Sequence, residues 1–385
     1  MRKLRVIHLP ASIGGNAQNL SRCMAALGIE SETWVLDGNR FGYAADRRLF
    51  SDGDNIFLRE LKRLGAMVRL LGADVVFYNF GSTLFGGVGL GEPIGEGKRL
   101  EALHRWYLMS MQRLELWLLR KTGCVCLVQY QGDDARQGDF SRGQFPVSIA
   151  AHVEPGYYST VGDEHKRAQI RLMGKYCHKV YALNPDLLHV LPPTAVFLPY
   201  AHISLEDWQI AYGSETDDTP LRIGHAPTHR GVKGTDKLLE ALETLRAEGL
   251  AFELVLVEGK TQIEAKHLYA TTDVVFDQLY AGWYGGLAVE AMALGKPVMV
   301  YLREDDLGFI PAEMRAELPF IRTAPDSLLD DLRTLLRTPR RRLIEEGKRG
   351  RAYVEKWHDP ALIARRVVAD IHEVCGLRLS GTELR

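Results

Sequence analysis

The chain has 385 residues, 46% of them apolar and 25% charged, the composition of a globular protein long enough for two domains of ordinary size. Its 48 Lys and Arg against 49 Asp and Glu leave a net charge of -1, which argues against a general nucleic-acid binder, since such proteins carry a basic excess. No stretch approaches the roughly 18 apolar residues of a membrane span. The first apolar run is broken by His8 and Pro10 and is too short for a secretory signal. Five scattered cysteines fit a reducing, cytoplasmic setting.

The recurring unit along the chain is a short apolar run, a glycine-containing turn and a helical pattern. LRVIHL is a first strand, and the helix after ASIGGNAQNL carries Leu20, Met24 and Leu27 at helical spacing up to Gly28. SETWVLD, ADVVFYNF and GCVCLVQYQG read as further strands, with helices in LRELKRLGAMVRLLG and EALHRWYLMSMQRLELWLLRKTG between them. The near-continuous apolar face of ADVVFYNF is that of a parallel sheet covered on both sides. KVYALN and AVFLPYA are two short late strands. The polar, acidic stretch from Ser204 to Pro220 is a linker. Alternation then restarts with LRIGHAP, FELVLVEG, DVVFDQL and KPVMVYL as strands, and a charged helical tail closes the chain. The expected fold class is α/β, with a first Rossmann-like domain over 1–204, a second over 218–358, and a helical tail over 359–385 packing back towards the first. The two domains are expected to face a cleft.

Four places carry chemistry. In ASIGGNAQNL, Gly14 and Gly15 can take backbone angles closed to other residues, and the helix opening at Asn16 offers N–H groups to an anion; a ligand-free tight turn fits the same residues. In HAPTHRGVKGT, Arg230 and Lys233 precede Gly234 and Thr235 at a helix start, where two cations can meet a diphosphate; a solvated basic loop is the alternative. His225 and His229 lack a further ligand at metal-site spacing, so no metal is expected. In GWYGGLAVEAM, Glu290 stands in an otherwise small and apolar helix, where a carboxylate needs a partner; a sugar diol or an internal salt bridge would serve. In YQGDDAR, Asp133, Asp134 and Arg136 are either acceptor-facing polar groups or a capped helix start with a local ion pair. The stretch from His104 to Lys121 mixes aromatic, aliphatic and basic residues, as a core helix or an interfacial helix does.

The run GWYGGLAVEAMALGKPV resembles the donor-site signature of the GT-B retaining glycosyltransferases, which transfer sugars from UDP- or GDP-sugars. That signature reads Glu-Gly-Phe-Gly-Leu-Pro-x-x-Glu-Ala-Met-Ala-x-Gly-x-Pro-Val. Gly285 and the segment from Glu290 to Val298 match it. The resemblance implies that Glu290 binds the nucleotide ribose and that Lys233, in Lys-Gly, lies near the diphosphate. It makes Gly14 and Gly15 the first-domain glycine loop, and YQGDDAR is similar to the family's acceptor-side His-Gly-Ser-Asp. There are two departures: the family's first Glu falls at Gly282, and its His falls at Gln131.

Together these expectations put Arg230, Lys233, Gly285 and Gly286 at the departing diphosphate, and Glu290, Gly234, Thr235, Tyr284 and Gly15 on the donor. Gly14, Asn16, Asp133, Asp134 and Arg136 fall on the acceptor side. The implied reaction moves a hexosyl group, with retention, from a nucleotide-sugar to a glycan, lipid-linked or other hydroxyl acceptor in polysaccharide assembly. It uses no cofactor, and peripheral membrane contact is expected to accompany it. A nucleotide-sugar-binding protein without catalysis, and a polyol-phosphate transferase or epimerase on the same fold, are the alternatives; base, acceptor and oligomeric state are left open.

Overall fold

Each apolar run followed by a glycine turn forms a parallel strand in the computed structural model, which describes residues 3–11, 13–38, 42–92 and 98–379. Met1 and Arg2 of the basic start, and 380–385 of the expected tail, lie outside the described residues. In chain order the first half runs β1 (Arg5–Leu9), α1 (Asn16–Ala26), β2 (Glu30–Val35), β3 (Arg47–Arg48), α2 (Ile56–Leu70), β4 (Val75–Asn79), α3 (Arg99–Lys121), β5 (Val125–Tyr130), α4 (Gly138–Gln144), α5 (Thr160–Tyr176), β6 (Lys179–Ala182) and β7 (Val196–Phe197). The second half runs β8 (Leu221–His225), α6 (Arg230–Lys233), α7 (Thr235–Ala247), β9 (Phe252–Leu256), α8 (Gln262–Ala270), β10 (Val274–Phe276), α9 (Gly286–Ala293), β11 (Val298–Val300), α10 (Ala312–Ala316), β12 (Ile321–Arg322), α11 (Leu328–Leu336), α12 (Arg340–Trp357) and α13 (Pro360–Leu379).

The chain divides into two units: Met1–Gly138 with Tyr158–His202 and Pro360–Arg385, and Asp139–Tyr157 with Ile203–Asp359. The first holds a seven-stranded sheet in the order β3-β2-β1-β4-β5-β6-β7, parallel throughout. Alternation along its strands sorts the two faces. Val6, Val75, Phe77, Val125 and Leu127 pack with Leu20 and Met24 of α1 and with Ile363, Ala364, Val367 and Ile371 of α13. Their neighbours Ile7, Val76, Tyr78, Cys126 and Val128 pack with Met67 and Leu70 of α2, Leu116 and Leu119 of α3, and Ile170 and Met173 of α5. Helices on both faces explain why these strands read as unbroken apolar runs. Local signals start the helices: Asn55 caps the N-terminus of α2 by accepting the Leu58 N–H at 2.9 Å, and Ser159 that of α5 by accepting the Gly162 N–H at 3.0 Å.

The second unit holds a parallel five-stranded sheet in the order β12-β11-β10-β8-β9. The order turns at β8 and β10, whose register pairs Phe276 with His225. In an open α/β sheet such a point, at the carboxyl ends of the strands, is where ligands gather.

One segment lies elsewhere than the sequence suggests. Residues 139–157, read with the first block, belong to the second unit. Their side chains decide it: the His152 ring stacks on Tyr280 with centroids 3.7 Å apart, Glu154 meets His229 at 3.1 Å, and Phe145 lies 3.7 Å beneath the Arg303 guanidinium. Partners so distant in sequence leave no local trace.

Candidate functional site

The site begins at the ends of β8 and β10. His225, the last residue of β8, is buried. One ring nitrogen lies 2.9 Å from the Phe276 carbonyl and the other 2.8 Å from the Thr235 hydroxyl. Burial pushes the imidazole down to about 4, so the ring is neutral at pH 7: Nδ1–H donates to the carbonyl and Nε2 accepts the hydroxyl. That histidine ties β8, β10 and the start of α7 together.

The next turn of chain is set by the same local logic. His229 caps α6, its Nδ1 accepting the Val232 N–H at 3.3 Å. Gly234 links α6 to α7 at φ 76, a left-handed angle, and a side chain there would come within 2.7 Å of Leu279. This tight turn points Lys233, the last residue of α6, inward. Its ammonium donates to Asp277 Oδ1 at 2.7 Å and to Gln278 Oε1 at 2.9 Å. Asp277, directly after β10, is fully buried and accepts the Gly285 N–H on Oδ2 at 2.6 Å. A Cβ on Gly285 would stand 3.0 Å from the lysine nitrogen, so the backbone can approach the cation this closely only without a side chain.

Glu290 lies one turn into α9. It is nine-tenths buried, and its Oε1 accepts from the Gln262 amide at 3.1 Å. Burial raises its carboxyl to about 7, with the Gln262 bond opposing, Asp277 adding to the rise and Lys233 opposing it. Lys233, Asp277, Gly285 and Glu290 thus form one electrostatic cluster beside the start of α9, where helix N–H groups add positive potential. At its rim the Arg230 guanidinium holds Glu258 in a fork, at 2.9 and 2.8 Å. Both side chains are exposed, so the pair is weak and can exchange partners. Among the described residues no group of three or more His, Cys, Asp or Glu is placed to hold a metal ion.

No family model and no curated protein matches the chain. Solved structures do. Sucrose-phosphate synthase from Thermosynechococcus elongatus superposes with a TM-score of 0.60 at 15% identity, over 97% of this chain and 99% of that one. HepE from Anabaena, in complex with UDP-glucose, superposes with a TM-score of 0.60 at 12% identity, over 96% and 100%. A glycosyltransferase from Rickettsia africae gives 0.56 at 13%, over 97% and 99%. The fold is GT-B.

Within that fold the expected residues separate. Lys233, Gly285 and Glu290 come together as described, with Gly286 opening α9. Thr235 is spent on His225 and fully buried. Tyr284, expected on the donor, points inward instead: its hydroxyl bonds Tyr353 at 3.0 Å and His358 at 2.9 Å, and its ring packs on Phe320. It holds the start of α9 to α12. The Gly285 N–H, expected at a departing diphosphate, is likewise engaged, by Asp277, which leaves the Lys233 ammonium and the N–H groups after Gly285 as the positive groups at this end of the site.

In the first unit, Gly14 and Gly15 both take left-handed angles, φ 63 and 74, and a Cβ on Gly15 would lie 3.0 Å from the Tyr43 ring. Asn16 is buried and accepts the Ala201 N–H at 2.9 Å; it fastens α1 to the chain after β7, a structural duty. Asp134 is buried too, accepting the N–H groups of Gln131 and Gly132 at 3.0 and 2.7 Å. Arg136 forks onto Asp186 at 2.7 and 3.3 Å. Asp133, one-third exposed, accepts the Tyr158 hydroxyl at 2.6 Å. The Asp-Asp-Arg run therefore builds its own loop, and Asp133 is the member that reaches solvent.

The departure at Gly282 has a physical counterpart. Its φ is 76, and a Cβ would fall 2.7 Å from the guanidinium carbon of Arg303. Arg303 is itself held by Asp306 at 2.6 Å, by the Val147 carbonyl at 2.8 Å and by the Phe145 ring. Where the signature that this run resembles has a carboxylate, this chain places a cation beside the backbone. Asp277, Gln278, Gln262, Glu258 and Arg303 were not singled out from sequence. Asp277 alone had a usable signal, a carboxylate directly after an apolar strand in a parallel sheet.

Proposed function

We propose that the chain is a glycosyltransferase whose second unit binds a UDP- or GDP-sugar and whose first unit receives a glycan, lipid-linked or other hydroxyl acceptor. The observation that carries this reading is the cluster of Lys233, Asp277, Gly285 and Glu290 at the carboxyl ends of β8 and β10. Glu290 accepts from the two ribose hydroxyls, as an ionised carboxylate can. Lys233 and the first N–H groups of α9 face the diphosphate, with Arg230 turning from Glu258 to an outer phosphate oxygen. Asp277 keeps the ammonium aimed there. The bond between the sugar's anomeric carbon and the diphosphate oxygen breaks, and the acceptor oxygen bonds to the same carbon from the same face. The acceptor proton passes to the departing oxygen, so no protein base is needed, consistent with Gln131 and Gly282 replacing the family's His and Glu. The negative charge that develops is met by preorganised positive groups without a metal. Five free thiols support a cytoplasmic location, and peripheral contact with a membrane goes with a lipid-linked acceptor in polysaccharide assembly.

A second reading, nucleotide-sugar binding without transfer, is favoured by the Arg303 guanidinium against Gly282. Calorimetric titration with UDP and with GDP, with and without Mg²⁺, tests both. Micromolar binding of one nucleotide, abolished by Glu290→Ala, is expected. Folded protein that binds neither nucleotide nor an intact nucleotide-sugar would refute both readings; binding without hydrolysis or transfer across an acceptor screen would select the second.

A further inference from the structure

α2 and α3 lie side by side on one face of the first sheet, with the His104 ring N–H of α3 donating to Glu60 of α2 at 3.2 Å. Their inner sides fill the core, but their outer sides are not polar. On α3, Leu103, Trp106, Leu114 and Trp117 are 61, 66, 39 and 47% exposed. They recur at helical spacing opposite the buried Leu108, Leu116 and Leu119. On α2, Phe57, Leu61 and Val68 are 77, 56 and 66% exposed and also share one side. A helix at a protein surface ordinarily turns polar residues to water. Seven large apolar side chains on two adjoining helices make a patch of the kind that marks an interaction surface.

The charges on the patch identify the occupant. Along the outer stripe of α3 the order is Arg99, Leu103, Trp106, Ser110, Arg113, Leu114, Trp117 and Lys121: every charge is positive. Arg99 and Arg113 have no ion-pair partner among the described residues, and the Lys121 ammonium rests 5.9 Å over the Trp117 ring. The carboxylate close by, Glu60, is taken by Arg63 and His104. We infer that the outer face of α2 and α3 docks on an anionic lipid bilayer. Tryptophan and leucine enter the interfacial layer while arginine and lysine extend to the head groups. A second copy of the chain suits the face poorly, because a two-fold contact would set the same cations against each other with no acid between them. The inference gives the membrane contact of the proposed reaction a definite surface, yet rests on α2 and α3 alone; nucleotide binding by the second unit stands or falls separately.

The test is co-sedimentation of the full chain with vesicles of phosphatidylcholine alone or mixed with phosphatidylglycerol, at low and high salt. The wild-type chain is expected to pellet with the anionic vesicles and to be released by salt. Each cation near an anionic surface contributes about fivefold to partitioning, so Arg113→Glu/Lys121→Glu should weaken binding at least tenfold. Trp106→Ser/Trp117→Ser should weaken it as much, and both variants should keep the wild-type melting temperature and UDP titration. Failure of the wild-type chain to pellet, equal pelleting with phosphatidylcholine alone, or full binding by either variant would overturn the inference. So would a dimer in light scattering that the tryptophan variant dissolves while vesicle binding is absent.

Discussion

Removing the charge of Lys233 while keeping its bulk tests the centre of the site. In Lys233→Met the fully buried Asp277 keeps its carboxylate and the Gly285 N–H, but loses the ammonium at 2.7 Å. Breaking a buried pair by deleting one partner destabilises by about 3–5 kcal/mol, because the remaining charge is stranded. For a unit of this size, 3 kcal/mol lowers the melting temperature by roughly 6–12 °C. Asp277→Asn alone strands the lysine instead, and the double variant Lys233→Met/Asp277→Asn strands neither. The double variant should therefore be less destabilised than the sum of the singles, with a coupling above about 1 kcal/mol. All three should lose UDP binding, since none presents a held cation to the diphosphate. Calorimetric melting gives the stabilities and a UDP titration gives the binding. If Lys233→Met melts within about 1 kcal/mol of the wild-type chain, or if the two losses simply add, Asp277 and Lys233 are not the coupled pair described, and the cluster loses its anchor.

Three further outcomes are expected. Glu290 sits at about 7 in the folded chain against 4.5 ordinarily, and in the proposed site it is the ionised carboxylate that accepts from both ribose hydroxyls at once. Nucleotide binding at pH 6 should therefore release close to one proton more than in Glu290→Gln, and no more at pH 8, measured as the difference in binding enthalpy between buffers. The same raised value means the native state holds the extra proton. The group therefore favours folding at low pH, and the advantage is lost as pH rises from 4.5 through about 7. Glu290→Gln should thus gain in relative stability across that window; a constant difference would contradict the burial assigned to the carboxyl. Finally, Gly282→Glu installs the residue of the signature that this run resembles but puts a side chain at a left-handed φ of 76, a strain of about 1–2 kcal/mol, against the Arg303 guanidinium. It should lower the melting temperature without raising transfer activity; a stable, more active variant would show that Arg303 yields readily.

How much of this was written in the chain depends on which signals are local. VVFYN and VCLVQY announce buried strands because both of their faces are covered. β3, two exposed arginines, and β12, an edge pair of Ile and Arg, exist only through their neighbours and carry no pattern. α5, over Thr160–Tyr176, is charged enough along its outer side to blur its apolar spacing. In the site, Glu290 was legible because a carboxylate among Ala, Val and Met is chemically out of place. Asn16 and Asp134 looked promising for the same reason that they are structural: short polar side chains beside strand ends satisfy backbone groups as readily as ligands; Arg136 looked so too, but its partner Asp186 lies 50 residues away. Tyr284 misled because two flanking glycines suggest an open turn, and nothing nearby in sequence reveals Tyr353 and His358.

The position of α13 in the first unit carries a consequence for biosynthesis. Its residues Ile363, Ala364, Val367 and Ile371 are buried against β1, β4, β5 and α1, yet they are synthesised after the entire second unit. At about 5–20 residues per second, the sheet face they cover waits roughly 10–35 s after His202 leaves the ribosome. During that interval Val6, Val75 and Phe77 lack their lid, and the nascent first unit is a client for any holdase that recognises bare aliphatic surface. The second unit, whose strands and helices finish at Asp359, has no such wait. A released chain ending at Asp359 should thus carry a second unit resistant to protease and a first unit still open to it.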